Sequence, residues 1–315
     1  MPTLKADDGV KLHYEEAGSG TPIVFVHEFA GDWRSWEPQL RYFSRSYRCI
    51  TYSARGYLPS DIPENVDSYS QDHWREDVRA VIDGLKLEQP HVVGLSMGAF
   101  AALHFGMKYC AKGKPVKARS LTVAGVGSGA HPATYKAFQE SSRVNSESIR
   151  KGGMQKFADT YGHGAARVQF QRKDPRGFDE YNRQLAEHSA AGSANTMAGY
   201  QGRRPSLYAL TDEISRIDVP VLVMTGDEDE PCIEASVLLK RAIPKAGLAV
   251  LAQSGHGINV EELTTRLESA PFMGTPVFTM EIVMLVPSTS NVKDLRHSLE
   301  ALGDTLNCDV DLDPA

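Results

Sequence analysis

Gly94-Leu95-Ser96-Met97-Gly98 sets a serine two residues from a glycine on either side. A serine hydroxyl is a weak nucleophile at neutral pH and needs a base within reach to take its proton. This spacing suits a sharp turn from strand to helix. The glycines remove side chains where the backbone closes on itself, and the serine is presented at the tip. Both halves of that turn are present: His91-Val92-Val93-Gly94-Leu95 reads as a short strand, and Met97 to Tyr109 as a helix. Backbone N–H groups at the start of the helix, that of Met97 first, would face a developing oxyanion.

Of ten histidines, His256 in Ser254-Gly255-His256-Gly257 is the best placed base, because it follows the strand Leu248 to Leu251 in a glycine-flanked loop. A base of this kind needs an acceptor to fix its tautomer and steady the imidazolium. The acidic run Gly226-Asp227-Glu228-Asp229-Glu230-Pro231 follows the strand Val221 to Met224. Asp229 is the first choice there and Asp227 the second. The loop after the preceding strand, Gly125-Val126-Gly127-Ser128, has no acid to offer. A second oxyanion donor is expected from His27-Glu28-Phe29-Ala30-Gly31, after Val26, with Phe29 as the choice.

These residues need a frame. Thr3 to Ala17 reads as a hairpin about Asp7-Asp8-Gly9. Short apolar runs then alternate with helical spacing: strands at Ile23–Val26, Arg48–Tyr52, His91–Leu95, Ser120–Ala124, Val219–Met224 and Leu248–Leu251. Such alternation predicts an α/β fold, a mostly parallel sheet with helices on both faces. From about Ser128 to Pro205 no strand-like run occurs, so residues 130–205 are expected to form a helical lid. The lid would sit over the carboxyl edge of the sheet, where open α/β sheets place ligands. The core would then comprise 1–129 and 206–273. Phe278 to Val286 alternates with period two, and Val292 to Leu306 follows helical spacing. Residues 277–315 are therefore expected to form a β-α-β appendage.

With these motifs in place, the chain resembles the α/β-hydrolase superfamily, in particular its lid-bearing serine esterases. Val24-Phe25-Val26-His27-Glu28-Phe29-Ala30-Gly31 is similar to that family's H-G-x-x-G loop, and Tyr52-Ser53-Ala54-Arg55-Gly56-Tyr57-Leu58-Pro59-Ser60-Asp61 to its D-x-R-G-x-G-x-S block. The resemblance covers residues 3 to about 270. It implies a catalytic set of Ser96, Asp229 and His256, an oxyanion hole from Phe29 and Met97, and no cofactor or metal. Glu28 and Leu58 stand where the family has glycines. An ionised Glu28 aimed inward would oppose transition-state charge, so it is expected to point away. Relatives that open epoxides or remove halides carry aspartate at the position of Ser96, which disfavours those activities. The carbon–carbon hydrolases carry a G-P-G that is missing here. Haloperoxidase-like relatives share the triad, so peroxidation is an expected side reaction. The tail resembles half of an ACT domain. A lone β-α-β leaves an open sheet edge, so residues 277–312 are expected to make a homodimer.

The expected activity is hydrolysis of small esters or lactones, with a receptor-like ligand-binding protein of slow turnover as the alternative. His131, Phe138, Tyr161 and His163 are candidate substrate contacts from the lid. The net charge of −6 argues against a nucleic-acid partner. No apolar segment near Met1 reads as a secretory signal, and no run is long enough to span a membrane, which predicts a cytoplasmic protein. Cys49, Cys110, Cys232 and Cys308 lack metal-site spacing and read as small buried side chains.

Overall fold

The computed structural model describes residues 1–256, the stretches 262–269 and 276–283, and Arg296. The chain divides into two units, Met1–Asn259 and Val260–Ala315.

The first unit is built on an eight-stranded sheet: β1 (Thr3–Lys5), β2 (Lys11–Ala17), β3 (Thr21–Val26), β4 (Tyr47–Tyr52), β5 (His91–Leu95), β6 (Ser120–Ala124), β7 (Val221–Gly226) and β8 (Ala246–Leu251). Their order is β1-β2-β4-β3-β5-β6-β7-β8. The β1–β2 and β2–β4 pairs are antiparallel, and every pair from β4 to β8 is parallel. Alternation along β3 accounts for cover on both faces. Val24 and Val26 join the large apolar cluster, whereas Ile23 and Phe25 join Cys49 under Trp36, Leu40 and Phe43. A strand apolar on both faces has to be sandwiched.

The helices supply that cover. Before β6 come α1 (Glu37–Phe43), α2 (Gln71–Gly84) and α3 (Met97–Tyr109). α3 is buried on every side from Met97 to Gly106, packed on β5 and β6 with α2 against it. Ser70 starts α2 by accepting a hydrogen bond from the His73 N–H, as an N-capping serine should.

Between β6 and β7 lie α4 (Pro132–Phe157), α5 (Val168–Lys173), α6 (Pro175–Ala186), α7 (Ala190–Asn195) and α8 (Thr211–Ile214). This insertion is helical and runs on to Ile214. α4 breaks at Gly153, whose φ of 76° an L side chain rarely adopts. After it, α9 (Glu230–Ala242) packs on β7 and β8 and completes the cover of the sheet. No helix among the described residues is long and apolar enough to cross a membrane.

In the second unit, β9 (Glu262–Ser269) pairs antiparallel with β10 (Pro276–Val283), Val277 opposite Glu268 and Val283 opposite Glu262. β10 falls on the run read as a strand from Phe278. β9 was not anticipated; it falls in a stretch read as the end of the core, and its partner is β10. The helix and last strand expected beyond Val286 lie outside the described residues.

Candidate active site

Ser96 stands between β5 and α3 with φ 52° and ψ −114°. Positive φ is costly for a residue with a side chain and persists only where the surroundings enforce it. Here they do. A side chain on Gly94 would overlap the Gly98 carbonyl, and one on Gly98 would overlap the Val26 carbonyl. Both glycines are thus required for the turn to close against β3. The Ser96 N–H donates to the Ala124 carbonyl at 2.7 Å, which locks the turn to the end of β6.

The ends of β7 and β8 bring the other two groups. Nε2 of His256 lies 2.7 Å from Ser96 Oγ, and its Nδ1 lies 2.8 Å from Asp229 Oδ2. An ionised carboxylate only accepts, so Nδ1 carries the proton and Nε2 is left to accept from the serine hydroxyl. Asp227 plays a different part. Its Oδ1 accepts from the Ser254 N–H at 3.0 Å and braces the loop that carries His256. Burial alone would raise the Asp229 pKa. The hydrogen bond and charge of His256, the Cys232 thiol and the charge of Arg167 outweigh burial and hold it below the ordinary value. Cys232 Sγ lies 3.8 Å from His256 Nδ1. Asp229, Cys232 and His256 form a group of metal-type donors within 4.8 Å of one another. Burial pushes the Cys232 thiol well above its usual pKa. It is therefore a weak hydrogen-bond donor here, not a ready thiolate ligand.

The loop after β3 is held from several sides. His27 is fully buried and donates from Nδ1 to the Glu28 carbonyl at 2.7 Å, while its Nε2 accepts from the Ala54 N–H at 3.0 Å. Burial lowers its pKa to about 4, which keeps the ring neutral and this bonding pattern intact. Tyr57 donates its hydroxyl to the Phe29 carbonyl at 2.9 Å, and Tyr200 donates to the Met97 carbonyl at 2.8 Å. Two buried tyrosines thus fix the backbone on either side of the space above Ser96. Sequence reasoning gave no signal for either, because each bond depends on tertiary placement.

Glu28 is buried and paired with Arg167 from the insertion, itself buried and set 5.1 Å from the Tyr181 ring. The pair neutralises the carboxylate beside the Phe29 loop. Glu28, expected to point away, is buried and met by a partner 139 residues distant in the chain. The insertion also touches the His256 loop, where the His256 N–H donates to the Ala166 carbonyl at 3.2 Å.

The four lid candidates separate into two pairs. Tyr161 stacks on Phe157 and meets Phe29 edge-on at 5.7 Å, and Phe138 lies against Gly129 in the loop after β6. His131 instead caps α4, accepting from the Ala133 N–H, and lies 3.7 Å from Glu234. His163 is exposed, edge-on to Phe178. Neither histidine is brought to Ser96.

The comparisons with known proteins agree with this architecture. Residues 21–263 match the alpha/beta hydrolase fold family. Epoxide hydrolase 1 of Caenorhabditis elegans is 39% identical over 102 residues, 32% of this chain, and the chain spans only 25% of that relative's length. 3-Oxoadipate enol-lactonase 1 of Acinetobacter baylyi is 30% identical over 212 residues, covering 66% of this chain and 71% of the relative. The solved esterase of Thermogutta terrifontis shares the fold, with a TM-score of 0.68 at 22% identity over 81% of this chain and 90% of that one. With its family match spanning most of its length, this chain belongs to the alpha/beta hydrolase fold family.

Proposed function

We propose that the protein hydrolyses small carboxylic esters or lactones through an acyl-enzyme on Ser96. One observation carries the reading: Ser96 Oγ, His256 and Asp229 form a continuous hydrogen-bonded line, with contacts of 2.7 and 2.8 Å. His256 takes the hydroxyl proton as Ser96 Oγ bonds to the substrate carbonyl carbon. Negative charge develops on the carbonyl oxygen, where the N–H groups of Phe29 and Met97 receive it. His256 then gives its proton to the departing alkoxide, and the C–O bond breaks. In a lactone the alkoxide stays tethered to the acyl group. Water, deprotonated by the same imidazole, attacks the acyl carbon and releases the acid, which regenerates the Ser96 hydroxyl. Asp229 stays ionised and holds the imidazolium.

Two further features support this chemistry. Arg167 neutralises Glu28, so the carboxylate beside the Phe29 loop does not oppose the oxyanion. The esterase and enol-lactonase names among the similar proteins fit a carbonyl substrate, whereas Ser96 in place of an aspartate disfavours epoxide opening. Stopped-flow hydrolysis of an aryl ester, followed by a panel of esters and lactones of graded acyl length, tests the reading. A burst of aryl alcohol equal to the enzyme concentration is expected, and it disappears in Ser96→Ala. No burst and no turnover on any member of the panel would overturn it.

A further inference from the structure

Arg204 is the feature that this mechanism leaves unused. It lies in the insertion, four residues after Tyr200, whose carbonyl accepts its backbone N–H at 3.0 Å. Its side chain is buried, with 4% of its surface exposed. The guanidinium carbon sits 3.7 Å from the centre of the Phe100 ring and 4.6 Å from that of Phe138. Nη1 donates to Gln201 Oε1 and Nη2 to the Ser128 carbonyl. A guanidinium has five N–H groups, and these two neutral oxygens are its only acceptors among the described residues. No carboxylate pairs with it there, whereas of the other buried arginines Arg55 has two and Arg167 one. Burial lowers its pKa to about 10, with only tyrosines and a thiol nearby to oppose that shift.

Its surroundings are those of Ser96. Phe100 follows Ser96 by one helical turn, and its N–H donates to the Ser96 carbonyl at 3.1 Å. Phe100 lies in the first turn of α3, so the ring beneath the guanidinium stands one turn from the nucleophile. Ser128 Oγ lies 3.8 Å from Cys232 Sγ, which touches His256. Tyr161, edge-on to Phe29, feels the charge of both Arg167 and Arg204. Arg167 is already occupied by Glu28; Arg204 is not.

We propose that Arg204 binds a carboxylate of the substrate, so that the ester or lactone attacked by Ser96 is an anionic one. A buried guanidinium with a planar fork suits bidentate recognition of a carboxylate. Cation–π contacts and two neutral acceptors hold it in place without cancelling its charge. This proposal rests on the ester-hydrolase reading above.

The test compares ethyl hydrogen glutarate and ethyl hydrogen adipate with their neutral counterparts ethyl valerate and ethyl hexanoate, by kcat/KM. The wild-type protein is expected to favour the anionic members by about 10- to 100-fold, mostly through KM, as for a hydrogen bond between charged groups. In Arg204→Met that ratio falls to about one or below. Arg204→Lys keeps the charge and loses the fork, so it retains an intermediate ratio and serves where the methionine variant does not fold. A wild-type ratio near one, or a ratio that survives Arg204→Met, overturns the proposal while leaving the ester-hydrolase reading intact. Absence of turnover on all four esters together with absence of an aryl-ester burst removes that reading, and the proposal with it.

Discussion

Arg55 follows the carboxyl end of β4 in the sheet, and Arg204 belongs to the helical insertion; both are buried, and their charges are treated differently. Arg55 grips both oxygens of Asp77 at 2.7 and 2.6 Å and reaches Asp8 at 2.6 Å. Its charge is balanced within the fold's own frame. Arg204 has two aromatic rings and two neutral oxygens. Arg167 stands between these cases: it belongs to the insertion, but its counter-charge, Glu28, belongs to the loop after β3. The difference separates a frame whose buried arginine is paired within it from an insertion whose two buried arginines find no carboxylate within it among the described residues. The frame fixes the line through Ser96, His256 and Asp229; the insertion packs against the Phe29 and His256 loops beside it.

The comparison can be broken first at the frame. Asp229→Asn removes the acceptor that fixes the His256 tautomer. It is expected to lower kcat on an ester by about ten-thousand-fold, measured by steady-state hydrolysis. A loss under about tenfold would mean that Asp229 does not orient the base.

The next largest effect lies at the seam. Arg167→Met strands the buried Glu28 charge and is expected to cost about 3–5 kcal/mol in urea unfolding. Adding Glu28→Gln should restore most of that loss. Arg204→Met strands no carboxylate among the described residues and leaves only neutral acceptors unpaired, so its cost should be smaller, about 1–3 kcal/mol. Equal losses for the two single variants would erase the distinction between the two arginines.

A smaller effect comes from His27, whose folded pKa of about 4 lies below its ordinary 6.5. Below pH 6.5 the unfolded chain takes up a proton that the folded one refuses, so this contribution to stability is present above 6.5 and is lost as pH falls toward 4. Lowering pH from 6.5 to 5 should cost about 2 kcal/mol from this group. Urea midpoints at the two pH values, in the wild type and in His27→Gln, give the difference. An unchanged pH dependence in the variant would contradict the assignment.

What the sequence made legible was the frame, for reasons of locality. Ser96 is marked by glycines two residues away, and Asp229 and His256 by the strands directly before them. Each of these signals spans fewer than about ten residues, the length of one strand and its loop. The seam was half legible. Glu28 stood out as a departure in the Phe29 loop, but nothing local marks Arg167 as its partner. Tyr57 and Tyr200 were invisible for the same reason, since the carbonyls they hold belong to other elements. His131 and His163 were chosen by residue type within a helical stretch, where type does not fix which face a side chain occupies. β9 was missed although Leu263, Thr265 and Leu267 alternate with polar residues. Three alternations next to a loop do not distinguish a strand from the end of a helix until its partner, β10, is known.

Acyl-enzyme trapping tests the central claim most directly. An ester substrate mixed with enzyme is quenched in acid within the burst, digested and weighed by mass spectrometry. The expected result is a mass increase equal to the acyl group on the peptide that contains Ser96, absent in Ser96→Ala. An acyl group found on another residue, or turnover with no acylated peptide under quench conditions that preserve one in an authentic serine esterase, would contradict it.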